Sequence, residues 1–118
     1  MLSFSIDIVP KPTPRPRVSP YGYLYNLDWY KDYLENVRYQ VKKYTGNYAT
    51  RDLLTLNVTF RKNIPVSNKR FGDIDNLVKG LLDALTGFAF YDDCQVVYIS
   101  ARKVQSEDEG IDVAIEYL

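Results

Sequence analysis

Asp73 and Asp75 flank a single isoleucine, Lys79 follows one helical turn after Asp75, and Asp92-Asp93 comes after an intervening loop. Carboxylates held this close repel one another, and a divalent cation is the commonest thing that relieves such crowding. Asp75, Lys79 and Asp83 recur at every fourth position, so on a helix they form a polar stripe. Leu77, Val78, Leu81, Leu82 and Leu85 supply the opposing apolar face. If the chain doubles back after that helix, Asp73, Asp75 and Asp93 converge on one hard cation through oxygen ligands, as Mg²⁺ or Mn²⁺ prefers. Lys79 would then orient a water or neutralise a phosphate oxygen. Ordinary roles compete with this one. Asp at a helix start satisfies free N–H groups and complements the dipole, Asp-Asp before a strand suits a solvated turn, and Lys79 pairs readily with Asp75 or Asp83.

The chain contains no histidine. That excludes histidine-dependent nucleophilic triads, histidine-metal nuclease motifs and zinc sites of the Cys/His type. Any catalysis must use Asp, Glu, Lys, Arg, Tyr or a metal held by oxygen. The single Cys94 cannot form an intrachain disulfide, which fits a reducing cytosol. Lys and Arg number 15 and so do Asp and Glu, so the zero net charge alone argues weakly against a nucleic-acid partner. The distribution is less even. Lys11, Arg15 and Arg17 lie in one loop, and Arg61, Lys62, Lys69 and Arg70 bracket another, while Glu107, Asp108, Glu109, Asp112 and Glu116 gather near the C-terminus. A chain divided this way can present one face to a polyanion while its total charge cancels.

These residues need a scaffold, and a chain of 118 residues is expected to form a single domain over 1–118. No apolar run is long enough for a membrane span, and the N-terminus lacks the charged region of a signal peptide. Leu2, Phe4, Ile6 and Ile8 alternate as in a half-buried strand. Pro10, Pro12, Pro14, Pro16 and Pro20 make the following stretch extended and stiff, and Tyr21, Tyr23 and Tyr25 suit a short extended or hairpin-like piece. A helix is expected over about 26–44, with Asn26 as N-cap, Tyr30, Leu34, Val37, Val41 and Tyr44 as its apolar stripe, and Gly46 ending it. A strand over about 52–61, a helix over about 74–86 and strands over about 95–103 and 110–117 complete the chain. The order βαβαββ implies an α+β fold, a four-stranded mixed β-sheet with two α-helices on one face.

The run from Gly72 to Leu85, followed by Tyr91-Asp92-Asp93-Cys94-Gln95-Val96, resembles the signature of the RusA family of Holliday junction resolvases. The family pattern D-x-D-N-L-x-K-x-x-x-D-A-L, then D-D-x-Q-V, is matched throughout, and the order of elements extends the likeness over most of the chain. The Pro-Arg-Pro-Arg segment is similar to the basic N-terminal loop of phage and Gram-positive members. The resemblance implies a homodimeric, Mg²⁺-dependent endonuclease (Mn²⁺ substituting) that resolves four-way junctions by paired symmetric nicks in recombination and repair. It places the catalytic carboxylates at Asp73, Asp75 and Asp93 and the catalytic lysine at Lys79, with Asp92 in a supporting role at the metal. A bacterial host cytoplasm and a phage or prophage origin go with it. One departure stands out: Phe71-Gly72 separates Lys69-Arg70 from the first Asp, where some members carry arginines up to that position.

Lys11, Arg15, Arg17, Lys69 and Arg70 are the expected DNA contacts, with other branched DNA as a further substrate class. For Lys11, Arg15 and Arg17, on a proline-stiffened loop, such contacts cost little ordering entropy. Tyr21, Tyr23 and Tyr25 suit either stacking on unpaired bases or packing between subunits. Phe88, Ala89 and Phe90 suit the core or a dimer interface. Two readings compete with the nuclease. A non-catalytic branched-DNA-binding module would use the same acids only as helix caps. A nucleotidyl or glycosyl transferase could also hold metal with Asp-x-Asp, but no Gly-rich phosphate loop accompanies it.

Overall fold

Alternation of apolar and polar residues gives β1 (Leu2–Ile6), with Phe4 and Ile6 buried and Ser3 and Ser5 turned outward. The computed structural model describes residues 1–14, 17–18, 24–25, 28–46 and 49–118, with the backbone alone at 17–18 and 24–25. β2 (Arg17–Val18) and β3 (Leu24–Tyr25) pair antiparallel as a small separate ribbon. α1 (Asp28–Thr45) follows, and Gly46 at φ +72 closes it by donating its N–H to the Lys42 carbonyl at 2.9 Å. Next come β4 (Leu54–Lys62), α2 (Ile74–Leu85), a 3₁₀ turn at Asp93–Gln95, β5 (Val96–Gln105) and β6 (Gly110–Tyr117). Apart from the ribbon, the elements keep the expected order and form the expected α+β fold.

The sheet order is β1-β6-β4-β5. β6 runs antiparallel to both neighbours, whereas β4 and β5 are parallel, so their connection needs a crossover, which α2 supplies. Phe4, Ile6, Leu54, Leu56, Val58, Phe60, Ile111, Val113 and Ile115 form the buried face, joined in one core with Tyr30, Tyr33, Val37 and Val41 of α1 and Leu77, Leu81, Ala84 and Leu85 of α2. Tyr44 departs from the expected stripe: it is 48% exposed and lies stacked on Phe4 at 4.9 Å, because the last turn of α1 reaches the margin of the sheet. Tyr33 takes the interior place instead, and burial pushes its hydroxyl pKa up to about 12. Ala89 and Phe90 belong to the core, and Phe88 is partly buried beside Arg38. Asn26, Arg15, Tyr21 and Tyr23 lie outside the described residues, as do the side chains of Arg17 and Tyr25.

The opposite face of the sheet is polar. Arg61 of β4 reaches across to Asp112 of β6 at 3.0 and 3.1 Å, and the Ser5 hydroxyl donates to the same carboxylate at 2.7 Å. Gly110 is needed there, since a Cβ would stand 2.9 Å from the Ile6 carbonyl oxygen, which the backbone cannot readily withdraw. Partial desolvation alone would raise the Asp112 pKa, but the Ser5 and Arg61 bonds outweigh it and hold the carboxyl below its ordinary value.

Gln95 is the one buried polar side chain among the described residues. Its amide oxygen accepts from the Tyr91 and Asp92 N–H groups at 2.8 and 3.0 Å, and its nitrogen donates to the Thr50 and Asp52 carbonyls at 2.9 and 2.8 Å. It thereby joins the turn before β5 to the segment leading into β4. Replacing Gln95 with Ala leaves four backbone groups without that partner, so denaturant unfolding should show a loss of about 2–4 kcal/mol; a loss under about 1 kcal/mol would contradict the assignment. A depressed native pKa stabilises above the unfolded value and is lost as pH falls through the native one. Wild-type stability should therefore fall below about pH 4, and Asp112→Asn should flatten that fall. Parallel curves would refute it.

Candidate active site

Asp73 stands at the N-cap of α2 with extended backbone, but its side chain makes no capping hydrogen bond. The ordinary capping role therefore does not occupy this carboxylate. Asp75 lies in the first turn of the same helix, and both are exposed. The capping residue is Asp92 instead. Its side chain accepts from the Cys94 N–H at 3.0 Å, and with Gln95 it forms a capping box over the 3₁₀ turn. Asp93, exposed at the first position of the turn, takes no part in that capping box.

Asp92 and Asp93 are brought together. The Cys94 N–H, and after it Asp93, hold Asp92 below the usual carboxylate range. Asp93 is held above it, chiefly by sharing a hydrogen bond with Asp92, with desolvation and the negative charges of Asp92 and Asp83 adding and Lys79 opposing. Lys79 is thus within electrostatic reach of Asp93. It forms no ion pair with Asp75 or Asp83 among the described residues, where both ion pairs belong to Arg61. Asp83 is engaged elsewhere, accepting from the Tyr30 hydroxyl at 3.1 Å.

The backbone beneath these side chains is closely tied. Phe71 is fully buried, and Gly72 has φ +98 with Pro12 packed against it, where a Cβ would stand 3.0 Å away. Thr13 donates its N–H and hydroxyl to the Asn76 carbonyl at 3.1 and 3.0 Å, so the start of the proline-rich loop lies across the first turn of α2. Lys11 is carried on that strap, its ammonium 5.5 Å from the centre of the Trp29 ring. Lys69 and Arg70 are exposed just ahead of the first acid. Two further lysines act on the same loop. Lys62 donates to the Arg70 carbonyl at 2.7 Å and Lys103 to the Gly72 carbonyl at 3.0 Å. Burial lowers the Lys62 pKa, with Glu109 opposing and Lys11 reinforcing that shift. Lys103 and the hub role of Gln95 carry no periodic or spacing signal. The Gln of D-D-x-Q was visible only as part of a pattern.

The donor set suits a hard divalent ion, since exposed carboxylate oxygens without ion pairs are what Mg²⁺ and Mn²⁺ take. Among the described residues no group of three or more acidic side chains is placed to hold one. Asp73 and Asp75 form one group at the start of α2, Asp92 and Asp93 a second after its end, and Lys79 lies between them along the chain. No helix among those residues is long and apolar enough to cross a membrane.

A family model described as Endodeoxyribonuclease RusA matches residues 7–116. A crossover junction endodeoxyribonuclease rusA of Lactococcus phage r1t is 32% identical over 93 residues, covering 60% of this chain and 71% of that protein. The match takes in the strap, the Asp-x-Asp helix, the Asp-Asp turn and β4, β5 and nearly all of β6, and the chain belongs to the RusA endodeoxyribonuclease family.

Proposed function

We propose that the chain is an Mg²⁺-dependent endodeoxyribonuclease that resolves four-way DNA junctions by paired symmetric nicks. It acts as a homodimer on junctions and other branched DNA, in recombination and repair, in the cytoplasm of a bacterial host and from a phage or prophage genome. Family membership and the name of the phage relative support the activity and the substrate. One observation supports the assignment of residues. Asp73, Asp75, Lys79 and Asp93 stand exposed and form no ion pair among the described residues, while Phe71, Leu77, Leu81, Phe90 and Gln95 on the same turns are buried.

In this reading Asp73, Asp75 and Asp93 would hold Mg²⁺ or Mn²⁺, and Asp92 would support Asp93 through the turn it caps. A bound ion lowers the pKa of water toward neutrality and offsets charge on the phosphate oxygens. Lys79 places an ammonium, fixed on a core-anchored helix, against a non-bridging phosphate oxygen. Lys11, Arg15, Arg17, Lys69 and Arg70 bind flanking phosphates. Two copies related by a two-fold axis offer one site to each of two opposed strands, which accounts for paired nicking.

The separation of the two acid groups favours a second reading, a branched-DNA-binding module without catalysis. A synthetic four-way junction decides between them. Wild-type protein in Mg²⁺ should give paired nicks, and Asp73→Asn should abolish them while keeping junction binding. Retained cleavage by that variant would sink its assignment, and binding without nicking by wild type in both Mg²⁺ and Mn²⁺ would favour the module. Replacing Lys69 and Arg70 together by Ala should weaken binding and reduce the slope of log K against log salt by about 2. An unchanged slope would remove them from the phosphate contacts.

A further inference from the structure

We infer that Lys103 is a positioning residue of the proposed nuclease: its ammonium holds the Gly72–Asp73 peptide and so aims the Asp73 carboxylate. The inference rests on the nuclease reading above. In the β4–β5 register the buried β4 residues Leu54, Leu56 and Val58 face Val96, Ile99 and Ala101 of the edge strand, which are only partly covered or exposed, and the next pair in that series is Phe60–Lys103. Phe60 is fully buried, so an apolar partner would be the ordinary choice. The position instead carries an ammonium on a partly buried side chain that forms no ion pair among the described residues. Partial burial of an unpaired charge is costly unless other contacts compensate.

Those contacts converge on the peptide ahead of the first acid. Lys103 donates to the Gly72 carbonyl at 3.0 Å and lies 5.2 Å from the centre of the Phe71 ring. The Gly72 carbonyl and the Asp73 N–H belong to one planar unit, so holding the first fixes the orientation of the second. This matters because the Asp73 side chain has no capping bond of its own. Phe71 is held in the core, Gly72 is pressed against Pro12, and the Asp73 carbonyl accepts the first helical bond from Leu77 at 3.0 Å. Lys103 supplies the remaining constraint, on the one peptide between those anchors. Lys62 at the end of β4 does the equivalent two residues earlier, at the Arg70 carbonyl. The ends of the two parallel strands thus tie down the approach to Asp73.

Lys103→Met keeps an unbranched side chain of similar length and removes the donor, whereas Lys103→Arg restores a donor. Three quantities separate the roles: the Asp73 and Leu77 amide resonances in metal-free protein, junction affinity in EDTA, and single-turnover nicking across Mg²⁺ concentrations. Lys103→Met should shift both resonances, slow nicking about tenfold to a hundredfold and raise the Mg²⁺ concentration for half-maximal rate. Junction affinity should stay close to wild type, and Lys103→Arg should recover most of the rate. If the methionine variant does not fold, Lys103→Gln takes its place in the same three measurements. Unmoved resonances with a wild-type rate would overturn the inference, as would a loss of affinity as large as the loss of rate, which would make Lys103 a phosphate contact. Failure of wild type to nick in Mg²⁺ or Mn²⁺ would sink the nuclease reading, and the amide resonances would then decide the placement of Asp73 by themselves.

Discussion

Exposed carboxylates keep fixed positions only where the backbone beneath them cannot relax away, and here that backbone is fixed by what is buried beside it. Phe71, Leu77 and Phe90 are fully buried next to Asp73, Asp75 and the Asp92-Asp93 turn. Gln95 spends both ends of its amide on backbone groups of two segments, and Thr13 closes the strap over the first turn of α2. Each acid therefore projects from a point that core packing or a buried hydrogen bond defines. Preorganisation of that kind lets a site favour a cation, or a transition state, without spending binding energy on ordering itself.

The charge pattern follows the same logic. Arg61, which reads in the sequence as part of a basic loop, is consumed by Asp112 and by Asp108 at 3.1 Å. What remains around residues 69–73 is Lys62, Lys69, Arg70 and Lys103, with Lys11 near enough to act on Lys62. A chain of zero net charge thus sets cations around the segment that leads to its acids. In the proposed nuclease this arrangement would draw a phosphate toward carboxylates that otherwise repel it.

Much of this could be read from the residues in order. The leucine stripe of α2, the clean alternation of β6 and the stop at Gly46 are local signals, and each element lies within a few residues of its expected span. The acids, the lysine and the family pattern were equally visible, because motifs are local too. Pairing was not. That β5 runs parallel to β4 and that β6 enters between β4 and β1 are long-range facts, which periodicity along one strand cannot contain. Side-chain commitments were hidden for the same reason. Nothing local says that Asp92 caps while Asp73 does not, that Gln95 is buried, or that Lys103 meets Gly72 across the crossover. Tyr44 fitted a helical stripe but fell where the sheet no longer covers it.

The proposed chemistry depends on Asp73, Asp75 and Asp93 acting on one ion, and titration of isotopically labelled protein with substoichiometric Mn²⁺ tests this directly. Paramagnetic broadening should remove the amide signals of Asp73, Asp75 and Asp93 together, ahead of those in the acidic turn at Glu107-Asp108-Glu109. Broadening confined to one of the two segments, or appearing no sooner than in that turn, would contradict a shared metal site.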